Sequence, residues 1–164
     1  MITTMDNKRE VAMSIRKIVC CTDFSENAEA AFQAALEMSE KYQAQLTILH
    51  VVPPVVNPLL ADTGQIARYK PLQSFVTEIE DRMQKEYGCR IGEETDCGFV
   101  ILDGHISTEI LRYLEEKKTD LVVMGSYGLS GVELVFFGSV AKRIAHKAPC
   151  SVMIVRHPVP GPEK

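Results

Sequence analysis

The sequence has no surplus of positive charge, no paired-cysteine spacing and no hydrophobic run of membrane-spanning length. Lysine and arginine number 18 against 22 aspartates and glutamates, for a formal net charge of -4. Nucleic acid and anionic membranes are gripped by concentrated positive charge, so neither is the expected partner, although a local basic patch is compatible with this balance. The five cysteines are Cys20, Cys21, Cys89, Cys97 and Cys150. Their number is odd and no two have CxxC spacing, which supports neither a disulfide framework nor a zinc site and makes a reducing cytosol the expected compartment. Residues 1–12 contain no apolar run of the secretory type. No segment approaches the length of a membrane-spanning helix. Two nucleotide signatures are also missing: the GxxxxGK[ST] of P-loop proteins, and a GxGxxG after the first strand.

What is present is one domain's worth of chain. The 164 residues are 46% hydrophobic and 24% charged, ordinary values for a globular protein with a single core. Residues 1–12 are expected to form a loose extension, with Met13 an alternative start, and 13–156 the domain. The tail from 157 to 164 carries Pro158, Pro160 and Pro162 and is expected to fray.

Ile15–Cys21 reads as a first strand, in which Cys20 and Cys21 point to opposite faces as small buried hydrophobes. Ser25 is placed to cap a helix, with Glu26 and Glu29 near its positive end. Ala28, Ala31, Phe32, Ala35 and Leu36 then recur at the spacing of one buried helix face. Leu46–Val52 reads as a second strand, stopped by Pro53 and Pro54. Residues 53–70 hold three prolines and one glycine with little period, the pattern of a long loop. Leu72, Phe75, Val76, Ile79, Met83 and Tyr87 restore helical spacing up to Gly88. A third strand is expected at 98–102, then a helix capped by Ser107 with Ile110, Leu111 and Leu114 inward. A fourth strand follows at 120–124. After a glycine-punctuated loop a helix starts at Ser139, bearing Lys142, Arg143, His146 and Lys147 toward its negative end. Cys150–Val155 is the last strand.

Short apolar strands alternating with amphipathic helices predict an α/β fold: a single doubly wound, five-stranded parallel sheet with helices on both faces. With right-handed crossovers the natural strand order is 3-2-1-4-5. Such sheets bind ligands outside the carboxyl ends of the strands where the winding reverses, here between the first and fourth. Thr22 and Asp23 end the first strand and Gly125 ends the fourth, so topology alone points to these two loops.

The loop from Gly125 to Ser139 has the means to hold an anion. Glycines let backbone amides approach closely, successive N–H groups form a concavity, and Gly138–Ser139 opens a helix whose dipole favours phosphate. The dipole contributes only about 0.3–1 kcal/mol per charge at an exposed end, so several donors must act together. From glycine content alone, a plain strand-to-helix connection is at least as good a reading. Asp23 likewise serves equally as a turn or cap residue of the first helix. His50 reads as a satisfied core histidine, His105 as a turn residue, and Met38, Met83, Met124 and Met153 as core.

The spacing Gly125-x2-Gly128-x9-Gly138-Ser139 resembles the G-x2-G-x9-G-[S/T] pattern of ATP-binding universal stress proteins. The resemblance covers nearly the whole chain: Arg16–Val19 with Thr22–Glu26, Leu49–Val51, Asp103–His105, Gly138–Ala141 and Ala148–Val155. It implies the adenine nucleotide alpha hydrolase-like form of the sheet, with ATP held between the first and fourth strand ends. Carried over by position, Thr22 and Asp23 border the sugar or base, the main chain of Val51 meets the adenine edge, and Met124 and Gly125 flank the nucleotide. Gly128, Gly138, Ser139 and the amide of Val140 hold the phosphates. Cys21 stands where the family often has proline, which keeps the site small and apolar. The resemblance further implies a homodimer paired through Val152, Met153, Ile154 and Val155 of the last strand, an edge that must otherwise be covered.

The expected function is a nucleotide-dependent stress-response or regulatory module with at most slow ATP hydrolysis or autophosphorylation. No catalytic base aligned with a nucleophile is visible. Mg²⁺ or Mn²⁺ is chemically reasonable beside a triphosphate, although no carboxylate cage stands out. Two alternatives remain: a dimeric interaction protein without nucleotide, and an adenylating enzyme on a related fold. The second needs a serine- and glycine-rich loop after the first strand, where this chain has Thr22-Asp23-Phe24-Ser25. A phosphoacceptor receiver needs more clustered acids than Asp23 and Asp103.

Overall fold

A computed structural model describes residues 14–54, 73–127 and 138–157. Gly128, the start at Met1 or Met13, most of the 53–70 loop and the tail from 158 lie outside the described residues. The elements run β1 (Lys17–Thr22), α1 (Glu26–Tyr42), β2 (Gln45–Val52), α2 (Gln73–Glu86), β3 (Cys97–Asp103), α3 (Ile106–Lys117), β4 (Leu121–Gly125), α4 (Ser139–Lys147) and β5 (Ser151–Val155). All strand pairs are parallel and the sheet order is β3-β2-β1-β4-β5, as the alternation of elements predicts.

Strand alternation divides the core into two layers. Ile18, Cys20, Leu46, Ile48 and Val123 face Phe32, Ile79 and Met83 of α1 and α2. Val19, Cys21, Leu49, Val51, Val122 and Met124 face Ile110, Leu114, Ala141 and Ile144 of α3 and α4. Cys20 and Cys21 therefore do lie on opposite faces. Burying each of the large side chains contributes about 1.5–3 kcal/mol relative to leaving it in water.

Helix ends show where local chemistry was readable and where tertiary contact overrode it. Ser25 caps α1, its hydroxyl accepting the Ala28 N–H at 3.2 Å. The expected Ser107 cap is not formed: His105 occupies the N-cap of α3 and Ser107 lies buried in the first turn, 3.3 Å from His105 Nδ1. Gly88 does not stop the chain with a left-handed turn but begins a 3-10 turn, Gly88–Arg90. Arg90 then forks onto Glu29 of α1 at 2.9 and 2.7 Å. Phe75 sits on the exposed side of α2 rather than in the core.

Gly125 owes its place to packing. A Cβ there would stand 2.8 Å from Asn27 Cβ, 2.9 Å from Asn27 C and 3.1 Å from Ala28 N, because the first turn of α1 rests directly on the end of β4. Asn27 is itself buried, and its Oδ1 accepts the His157 N–H at 2.9 Å and the Ser126 hydroxyl at 3.5 Å. Gly125→Ala should therefore destabilise the fold by about 1–3 kcal/mol through backbone displacement. Gly98→Ala, with nothing within 4 Å of its Cβ, should leave stability nearly unchanged. Urea denaturation of the two variants measures the contrast, and equal midpoints would refute it.

Candidate functional site

The sheet parts where its winding reverses. β1 stays in register with β4 only from Ile18↔Leu121 to Cys20↔Val123. Beyond that point Cys21, Thr22 and Asp23 separate from Met124 and Gly125, and a cavity of about 380 Å³ opens between them. Cys21, Leu49, Val51 and Met124 form its apolar floor, and Ile106 and Ile110 of α3 with Val140 and Ala141 of α4 form its wall. Asp23, Tyr127, Gly138 and Ser139 stand around the same space. The size suits one small organic ligand, and the mostly apolar lining with a few polar groups is what such sites have in common.

Eight of the nine residues assigned to the site from sequence border this one cavity: Thr22, Asp23, Val51, Met124, Gly125, Gly138, Ser139 and Val140. The ninth, Gly128, lies outside the described residues. They come together because β1, β2, β4 and α4 all point their ends at the crevice. Each contributes differently. The Thr22 hydroxyl is taken up elsewhere, 2.6 Å from the Tyr87 hydroxyl and accepting the Phe24 N–H at 3.0 Å. Asp23 accepts from Ser25 N at 3.1 Å and from Ser25 Oγ at 2.6 Å, so one carboxylate both borders the cavity and braces the cap of α1.

Val51 offers main-chain groups. The Val52 carbonyl accepts from Gly104 N at 3.0 Å on the β3 side. Backbone groups alternate along a strand, so those of Val51 point the other way, toward β1. The register with β1 ends one residue earlier, at Thr22↔His50. The Thr22↔His50 rung sets the Val51 N–H against the Thr22 carbonyl, so it is the Val51 C=O that looks past the tip of β1 into the crevice.

At the opposite wall, α4 begins at Ser139 behind Gly138, a residue with no side chain to cap it. The first intrahelical bond runs from Lys142 N to Gly138 O at 3.0 Å, which leaves the amides of the first turn directed at the cavity. Gly138 N also donates to Ser126 O at 2.8 Å, closing the ends of the β4–α4 connection on each other. The positive end of a helix, with its first amides unbonded within the helix, is the kind of wall that favours negative charge. Among the described residues no cluster of three or more His, Cys, Asp or Glu is arranged to hold a metal ion.

The chain matches the model of the universal stress protein family over residues 14–156. It belongs to that family. YxiE, a universal stress protein of Bacillus subtilis, is 32% identical over 149 residues, covering 85% of this chain and 98% of its own. Among solved structures, the universal stress protein UspA from Lactobacillus plantarum superposes with a TM-score of 0.69 at 24% identity, over 87% of this chain and 98% of the other. The universal stress protein from Archaeoglobus fulgidus in complex with dAMP gives a TM-score of 0.62 at 19% identity, over 87% and 98% of the two chains. At those identities the structural likeness is one of fold.

Several cavity residues of this universal stress protein escaped the sequence reading. Ile106 and Ile110 showed only helical spacing, which says buried without saying against what. Tyr127 lies inside the glycine pattern, and its position between Gly125 and Gly128 was the available signal. His50 also borders the cavity. Its Nδ1 donates to the Thr22 carbonyl at 2.8 Å, which fixes the Nδ1–H tautomer, since a carbonyl only accepts. Burial holds the His50 pKa below its ordinary 6.5, aided by the Arg82 charge and opposed by the Thr22 carbonyl and Asp23. Burial likewise pushes the Cys21 thiol up to about 12, so the cavity floor carries no thiolate at neutral pH.

The His50 shift fixes the sign of a pH effect. Between the lowered folded pKa and 6.5 the unfolded chain binds more protons than the folded one, so stability rises with pH there. Stability from this group is complete above 6.5 and is lost as pH falls toward the folded pKa. An NMR titration of the His50 ring should show a midpoint below 6.5, and a midpoint at or above that value would contradict this account.

Proposed function

We propose that this universal stress protein binds an adenine nucleotide, with ATP as the ligand its glycine spacing suits, and serves as a nucleotide-dependent regulatory module. The observation that carries the proposal is the pairing of two backbone edges across one apolar cavity: the open carbonyl of Val51 on one side and the uncapped first turn of α4 on the other. A purine needs a flat apolar slot and a main-chain edge; phosphates need amides and a hydroxyl. In the proposed mode Val51 reads the adenine edge, Met124 and Cys21 pack against the base, and Asp23 accepts from the sugar hydroxyls. Ser139 and the amides of Ser139 and Val140 then hold the phosphates, with Gly128 continuing that cradle. The dAMP complex of the Archaeoglobus fulgidus protein supports the same reading by fold.

The role proposed is that of a binding module rather than a rapid catalyst. Asp23, the one carboxylate bordering the cavity among the described residues, is bonded to Ser25, and His50 Nδ1 is committed to a carbonyl. Any Mg²⁺ or Mn²⁺ would be carried in on the phosphates.

The proposal extends to a homodimer. β5 pairs with β4 on one side, and as the last strand of the sheet its Val152, Met153, Ile154 and Val155 form an edge only half buried. Antiparallel pairing with a second copy would cover it. Sedimentation should show a dimer at tens of micromolar (about the range well above a specific dissociation constant), and a monomer at that concentration argues against it.

Titration calorimetry on protein stripped of carried-over nucleotide tests the binding itself. ATP should bind in the wild type, and Ser139→Ala should weaken it roughly tenfold, the scale of one hydrogen bond to a charged acceptor. No heat with millimolar ATP, or an unchanged affinity in Ser139→Ala, would contradict the proposal.

A further inference from the structure

The tip of β1 is held from the face of the sheet opposite the cavity. Phe24, next to Asp23, has φ 63, in the left-handed region that residues with a Cβ avoid. A bulky residue persists there only where its surroundings over-determine it. Here they do. The Phe24 N–H donates to Thr22 Oγ1 at 3.0 Å, and that hydroxyl is shared with Tyr87 Oη at 2.6 Å. The Phe24 ring stacks on Tyr87 at 6.1 Å between centroids and lies 5.0 Å from His50. Arg82 places its guanidinium 4.0 Å above the same ring. Tyr87 is 1% exposed and packs on Phe32, which anchors the far end of the stack in the core.

The left-handed turn has a directional consequence. It drops the Phe24 ring toward α2 and swings the chain so that the Asp23 carboxylate meets both Ser25 N and Ser25 Oγ. Thr22, on the other side of Asp23, is fixed through its hydroxyl and, by His50, through its carbonyl. Asp23 thus stands between two residues that are both clamped from below.

We propose that Phe24, locked into its left-handed turn by Arg82 of α2 and by Tyr87 just beyond that helix, is a positioning residue that aims Asp23 into the nucleotide cavity. It follows that α2, which borders no part of that cavity among the described residues, sets ligand affinity through this ring. The proposal rests on the nucleotide-binding reading given above.

A double-mutant cycle on ATP affinity separates positioning from general stability. Asp23→Asn and Phe24→Ala should each weaken binding roughly tenfold, and together by scarcely more than either alone, because both remove one aimed carboxylate. Phe24→Tyr keeps the ring and should retain wild-type affinity. Effects that multiply in the double variant, or a folded Phe24→Ala protein that binds ATP as the wild type does, would overturn the proposal. Should Phe24→Ala not fold, Tyr87→Phe removes one hydroxyl and leaves the packing. It should weaken binding several-fold and show the same lack of additivity with Asp23→Asn, and unchanged affinity would overturn the proposal equally. A wild-type protein that binds no adenine nucleotide overturns the nucleotide reading itself; a wild type that binds, with independent variants, overturns only the positioning role.

Discussion

Parallel strands joined by right-handed crossovers have one place where the chain must change direction, and in this protein it lies between β1 and β4. From β1 the chain winds outward through β2 to β3, with α1 and α2 on one face. It then returns past β1 to β4 and winds outward again to β5, with α3 and α4 on the other. Right-handedness leaves the loops after β1 and β4 nothing to cover them from either side. The cavity follows from that reversal, and so does its composition: a hydrophobic sheet surface for a floor, and strand ends and a helix start for walls.

Everything polar at the site is then a matter of which backbone groups the reversal leaves open. β2 outlasts its register with β1, so Val51 keeps a free carbonyl. α4 starts behind a glycine, so its first amides are left open. Side chains mostly serve to hold those edges in place. The Thr22 hydroxyl is bound to Tyr87, Asn27 ties the end of β4 to the segment after β5, and Gly125 lets α1 sit down on β4. A site made this way is pre-formed by the fold, and a ligand meets donors already in position.

Much of this was legible in the amino-acid sequence because it depends on local pattern. Alternation of short apolar runs with helical spacing was enough for the sheet and its order, and Ser25 followed by Glu26 and Glu29 was enough for the start of α1. Of the residues gathered at the crevice, Thr22, Asp23 and Gly125 were legible from topology and Gly138 and Ser139 from the glycine pattern, whereas Val51, Met124 and Val140 came only with the family resemblance. What was not legible depends on partners distant in the chain. Gly125 reads as a phosphate glycine, but it is required by Asn27 and Ala28 of a helix nearly the whole domain away in sequence. Tyr87 reads as the last apolar position of α2, yet its hydroxyl is what holds Thr22. His105 displaces the better-qualified Ser107 at the start of α3 because the helix begins where the turn after β3 delivers it, at Gly104 with φ 142.

The central claim is that two backbone edges, Val51 and the first turn of α4, close on one adenine nucleotide across the β1–β4 crevice. Amide chemical-shift mapping by NMR with added ATP tests it most directly. The account predicts large, saturable shifts at Val51, Ser139 and Val140 together, with the exposed amides of α2 and β3 unmoved. Shifts centred away from the crevice, or shifts at α4 without any at Val51, would contradict it.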